Sequence, residues 1–134
     1  MHGTQSVYLR TIARLKSGRV RSGSAQEQSL AENYFGAGVD VLGAYLKSSG
    51  VPGVLFTSLG IVVATDEESK PWRAVPYRGI ERVEIPSSVD NKMLQSHLVL
   101  NLHGGEYLDL CVDGGTQTTR DVFEVCRFLM RVTT

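Results

Sequence analysis

Residues 53–65 read Gly-Val-Leu-Phe-Thr-Ser-Leu-Gly-Ile-Val-Val-Ala-Thr, two short runs of β-branched and aromatic residues with a break between them. The runs Val54 to Thr57 and Ile61 to Thr65 flank Ser58, Leu59 and Gly60, which predicts a hairpin with Gly60 in the left-handed position of a bulge. Both faces of the pair are apolar, so both are expected to be covered. Outward from it, the polar stretch Asp66 to Lys70 reads as a loop and Trp72 to Tyr77 as a third strand. Arg78 and Gly79 then turn the chain into Glu81 to Ile85. Pro76 has no amide hydrogen for a central ladder, so its strand belongs at an edge or a bulge.

A second hairpin joins Ser96–Leu102 to Glu106–Val112, and its side chains decide the register. A two-residue Gly104-Gly105 turn would set Leu100 against Asp109 and mix polar with apolar residues on both faces. A three-residue loop of His103, Gly104 and Gly105 instead aligns Leu98, Leu100 and Leu102 with Leu110, Leu108 and Glu106. One apolar face results, and that register is expected.

Helices are predicted on either side of the strands. Ser24 followed by Glu27 is a capping-box pattern, and Leu30, Tyr34, Ala37, Val41, Leu42, Tyr45 and Leu46 mark a stripe that Gly50 and Pro52 terminate. This predicts a helix over about 24–49, with Gly36, Gly38 and Gly43 either breaking it or allowing close packing. Gly36 and Gly38 do not form a dinucleotide fingerprint, because Val41 stands where the third glycine belongs and no strand precedes them. At the other end, Thr118 followed by Asp121 supplies a box, and Val122, Val125, Cys126, Leu129 and Val132 form an apolar stripe. A helix over about 119–131 is expected to close the sheet, with Arg127 and Arg131 complementing its dipole.

Successive short strands followed by one amphipathic helix point to an antiparallel sandwich or partly open barrel. The stretch 53–65, with Val75-Pro-Tyr-Arg-Gly-Ile-Glu-Arg-Val-Glu-Ile85 after it, resembles the PH/GRAM-like (pleckstrin-homology-like) superfold over about residues 51–134. The fold class expected is α+β, mainly β: a PH-like barrel capped by a C-terminal helix, with an extra N-terminal helix. Six strands can be counted after Val51, whereas the resemblance implies about seven; the seventh either comes from the segment before Arg21 or is missing. The resemblance also implies binding of phosphoinositide headgroups, peptides or protein surfaces, without catalysis.

Charge divides the 134 residues unevenly. Arg10, Arg14, Lys16, Arg19 and Arg21 stand in the first 22 residues with no acid, which leaves nine basic residues against fourteen acidic ones beyond. Residues 1–22 therefore read as a basic arm and residues 24–134 as one mildly acidic domain, which argues against nucleic-acid binding by the core. No apolar run approaches the roughly 18 residues of a membrane span. Cys111 and Cys126 form no Cys-x-x-Cys motif, which fits a reducing, cytoplasmic setting. The alternative is mitochondrial, since Tyr8, Leu9, Ile12 and Leu15 give the arm the look of a transit segment.

The candidate sites follow from this frame. Trp72, Arg73, Tyr77 and Arg78 cluster around Pro76 and are the partner-binding candidates. The anion or lipid candidates are Lys70 and Arg73, together with Gly114, Gly115, Thr116 and Arg120, whose backbone leads into the last helix. Asp66, Glu67 and Glu68 beside Lys70 oppose a multiply charged phosphate. The chosen register also brings His97, Asp109 and Cys111 to one face, the ingredients of an activated thiolate. His2, His97 and His103 show no metal-ligand spacing, and neither metal nor cofactor is expected. The expected function is a non-catalytic module that binds a protein or peptide, or a second copy of itself. The alternatives are a peripheral membrane adaptor that meets anionic phospholipid through the arm, and a small cysteine-dependent enzyme.

Overall fold

The second hairpin forms with the register its leucines demand. A computed structural model describes residues 3–86, 96–115 and 120–133. In it β7 (His97–Leu102) and β8 (Tyr107–Cys111) pair Leu98 with Leu110 and Leu100 with Leu108. The Leu102 amide donates to the Glu106 carbonyl at 2.8 Å, and Gly104 and Gly105 take φ of 100° and 89°, a left-handed region that favours glycine. Ahead of this pair lies β6 (Ile80–Glu84), antiparallel to β7, which completes a three-stranded sheet.

The first hairpin, β3 (Pro52–Thr57) and β4 (Gly60–Ala64), pairs Phe56 with Ile61 around a turn centred on Ser58 and Leu59. Gly60 is not left-handed as expected but extended within β4. The turn is held instead by the Thr57 hydroxyl, which donates to the Gly60 carbonyl at 2.7 Å and accepts from the amides of Leu59 and Gly60. Gly60 is needed for space: a Cβ there would meet the Val75 carbonyl and would lie 2.7 Å from the Phe35 ring. Strand β5 (Trp72–Pro76) is the last of its sheet, so Pro76 sits at an edge as expected.

The helix expected over 24–49 is corrected. It is α2 (Ala25–Phe35), ended by Gly36 at φ 92°, and the residues beyond it form the strand β2 (Val41–Leu46). The capping box is present: Ser24 Oγ accepts from the Glu27 amide at 3.2 Å, and Glu27 Oε1 accepts from the Ser24 amide at 2.9 Å. Strand β2 supplies the seventh strand that the resemblance implies. Its apolar residues match a helical stripe only because the strand is covered on both faces: Tyr45 points into the barrel, whereas Ala44 faces outward beneath α2. Gly43 is required by close approach, because the Tyr8 hydroxyl occupies the space of a Cβ.

The basic arm expected at 1–22 is also corrected. It forms α1 (Thr4–Arg10), a 3-10 turn at Ile12–Arg14 and the short β1 (Val20–Arg21), which pairs with β2. Val7, Tyr8 and Ile12 are buried in the main core, so the segment is part of the domain. The five-stranded sheet runs β1-β2-β3-β4-β5. Helix α3 (Asp121–Val132) packs on β6, β7 and α1, and its expected buried stripe gains Phe128. The Thr118 of its expected box lies outside the described residues; the N-cap is Arg120, with no side-chain cap. The first sheet's outer face carries a second core, in which Leu30, Phe35 and Trp72 cover Ala44, Leu55 and Val62.

The ion pair under α2 makes a pH prediction. Arg21 meets the buried Glu27 carboxylate with both nitrogens at 2.8 Å, and this hydrogen bonding holds Glu27 below its ordinary range against the opposing effect of burial. A depressed carboxylate contributes stability that is present above the unfolded value of about 4.3 and is lost as pH falls through the lowered folded value. Urea midpoints measured from about pH 6 to pH 3 are expected to drop more steeply for the native chain than for Glu27→Gln. Parallel curves would refute this.

Candidate functional site

The sequence-predicted partner residues do not act as one patch. Tyr77 is buried in the barrel, its hydroxyl donating to the Thr57 carbonyl at 2.6 Å, and its pKa is raised by burial. Trp72 is half-buried in the outer core, where its carbonyl accepts from the Tyr34 hydroxyl at 3.3 Å. Arg73 pairs with Glu106 at 2.8 Å and so ties β5 to the turn between β7 and β8. Arg78 alone of the four is exposed.

Around Arg78 the fold builds an open groove of about 720 Å³. The last turn of α2 supplies Tyr34 and Phe35, the β3–β4 turn supplies Leu59, and β5 supplies Pro76; Val132 at the end of α3 closes the rim. Leu59 is 47% exposed and Tyr34 44%, so two large side chains stand in water where the groove opens. Sequence reasoning missed Leu59 and placed Tyr34 only on the apolar stripe of the first helix. The signal for Leu59 was its place at the tip of a two-residue turn, where a side chain has nothing to pack on.

A second concavity, of about 350 Å³, lies between β8 and the first sheet, where Asp109, Leu110 and Cys111 face Val54, Val63 and Ala64. Asp66 and Asp113 line it against Lys47, so its polar wall is mainly acidic. Asp113 accepts from Arg19 at 2.9 Å. Lys70, the lipid candidate on the neighbouring loop, is exposed.

The register places His97 opposite Cys111 and Val99 opposite Asp109, as expected. Although Cys111 is exposed, partial burial of its thiol and then Asp113 and Asp109 push it up, which is opposite to the shift a thiolate nucleophile requires. No group of three metal-ligating side chains occurs among the described residues.

The backbone proposed as an anion cradle is engaged from within the chain. The Gly114 amide donates to the Tyr45 hydroxyl at 2.8 Å, and that hydroxyl donates to Asp121 Oδ2 at 2.7 Å. A carboxylate therefore already stands beside Gly114. Gly115 and Arg120 form an isolated antiparallel bridge, and Thr116 lies outside the described residues. Of the basic residues 10–21, Arg19 and Arg21 are in ion pairs and Arg10 donates to the Ser6 hydroxyl at 2.8 Å; Arg14 and Lys16 are exposed. No described helix is long and apolar enough to cross a membrane.

Two packed antiparallel sheets, of five and three strands and capped by a C-terminal helix, define a pleckstrin-homology-like fold, and a solved structure bears this out. The crystal structure of a DUF1696 family protein with a pleckstrin-homology domain from Shewanella loihica PV-4 is similar to this chain with a TM-score of 0.56. The match covers 87% of this chain and 99% of that one at 17% sequence identity, so the likeness is one of fold. No protein-family model matches the sequence, and no curated protein matches it.

Proposed function

We propose that this chain is a non-catalytic interaction module that binds a short protein segment in the groove at Leu59 and Arg78. The observation that carries this reading is the groove itself: about 720 Å³, rimmed by exposed Leu59 and Tyr34, with one cationic side chain at its edge. That volume lies within the range of binding clefts, and an aromatic and aliphatic rim suits an apolar anchor residue. Arg78 selects an acidic neighbour for the anchor by charge complementarity. Two further features support the reading. The acidic second concavity disfavours a phosphorylated headgroup, and the raised Cys111 thiol disfavours a cysteine nucleophile.

A phage-displayed peptide library panned on the immobilised full chain tests this. Apolar–acidic sequences are expected to be enriched, and Leu59→Asp is expected to weaken them by about tenfold or more while leaving the fold intact, because the side chain is a surface one. Clones that bind native chain and variant alike would overturn the reading. So would an absence of binding clones, or sedimentation of the chain with anionic vesicles at about 0.15 M salt.

A further inference from the structure

The β8 edge carries the inference. In the β7–β8 ladder the Leu102 amide donates to Glu106 and the Val112 amide donates to Ser96 at 2.7 Å. Hydrogen-bonded pairs alternate with non-bonded ones in an antiparallel ladder, so these two bonds fix the pattern between them. Leu100 with Leu108 and Leu98 with Leu110 are the bonded pairs, and the N–H and C=O groups of Tyr107, Asp109 and Cys111 point away from β7. Strand β8 is the last of its sheet, and no other described strand pairs with it. Among the described residues, three thus present backbone donors and acceptors on an edge that no strand covers.

Natural edges are usually blunted by charged side chains, lysine above all, by proline or by a bulge, and the one charge on β8 is Asp109. Strand β8 has neither lysine nor proline, and its register with β7 runs unbroken from His97–Cys111 to Asn101–Tyr107. Beside it lies the concavity whose far wall is Val54, Val63 and Ala64 of the first sheet, so the seam between the sheets is open along the strand. The side chains of Tyr107, Asp109 and Cys111 are exposed, and Asp66 stands across the seam.

We infer that this edge binds an extended basic peptide segment, which adds to the three-stranded sheet as a fourth strand. The open backbone groups supply affinity and the seam supplies direction. Charge supplies selectivity: a Lys or Arg opposite Asp109 comes within cross-strand reach of it, and its neighbour two residues along stays on the same face. This site is separate from the groove at Leu59 and does not depend on the function proposed there.

The probe is a synthetic nine-residue peptide alternating Lys with Val, set against one alternating Glu with Val. Binding to the full chain is read by fluorescence anisotropy, and amide hydrogen exchange locates it. The Lys peptide is expected to bind and to slow exchange at Tyr107, Asp109 and Cys111, with the Glu peptide weaker by about tenfold or more. Tyr107→Pro removes one outward N–H without removing a ladder bond, so its circular dichroism should stay native while Lys-peptide binding falls about tenfold. Asp109→Lys should reverse the preference between the two peptides. Equal binding of both peptides, equal binding to Tyr107→Pro, or no binding at about 1 mM would overturn the inference. The same amides slowed without peptide, in step with dimer formation, would overturn it too, because the occupant would then be a second copy. Leu59→Asp should leave Lys-peptide binding unchanged, so failure here and failure at the groove are distinguishable.

Discussion

Phe128→Ala is expected to destabilise the chain by about 3–5 kcal/mol. Phe128 is fully buried and is the hub of an aromatic cluster drawn from four separate elements. Its ring lies 5.4 Å from Phe56 and 5.9 Å from Tyr77, both near edge-to-face, and 6.0 Å from Tyr8 at 84°. Edge-to-face pairs add roughly 0.5–1.5 kcal/mol each beyond area burial, because the positive ring edge meets the negative face. The cluster joins α1, β3, the Tyr77 turn and α3, none of which can slide in to fill the space while the others hold position. A cavity should remain, and the melting temperature should fall by on the order of 10–20 °C with an unchanged denaturant slope. Phe123→Ala on the exposed side of the same helix should stay within about 0.5 kcal/mol. A Phe128→Ala cost below about 1 kcal/mol would mean that α3 does not close the barrel as described.

That cluster also marks where the sequence could be read and where it could not. Strands bounded by polar loops, the leucine register of β7 with β8, and the terminal helix were legible because each follows from local periodicity. The strand β2 was not. Its residues alternate between two cores, and a strand covered on both faces loses the polar–apolar alternation that separates it from a helix. Ser24 and Glu27 announced a helix start correctly, but the stop lay at Gly36 rather than Gly50. Gly43 was the clue: a glycine that makes room for Tyr8 belongs to a strand crossed by another element. For the same reason the segment 4–21 looked like a loose arm, since a charge count does not show that Val7, Tyr8 and Ile12 face inward. At the candidate sites, Arg78 was legible as an exposed charge. The rest of its groove comes from α2, the β3–β4 turn, β5 and the end of α3, which only the tertiary fold brings together.

Tyr45→Phe should cost about 2–4 kcal/mol although it removes a single oxygen. That oxygen accepts from the Gly114 amide at 2.8 Å and donates to Asp121 Oδ2 at 2.7 Å, and Asp121 is 1% exposed. The variant leaves a buried carboxylate without its hydroxyl donor and a buried amide without its acceptor, the two situations in which losing a hydrogen bond costs most. Relaxation is blocked nearby, because the Asp121 amide donates to the Gly114 carbonyl at 3.2 Å and Arg19 packs over Gly114. Burial, and then Asp121, hold the Tyr45 pKa far above its ordinary value, so the donor should persist as pH rises past 10. The linkage runs from the first sheet, through β2, to the N-terminus of α3, so its loss should loosen the cap before the strands. Hydrogen exchange in α3 is expected to quicken in Tyr45→Phe ahead of exchange in β3 and β4. Because the two groups act as one unit, Asp121→Asn combined with Tyr45→Phe should cost clearly less than the sum of the single losses. Additive losses would mean that Tyr45 and Asp121 contribute separately and that no latch joins the sheet to its closing helix.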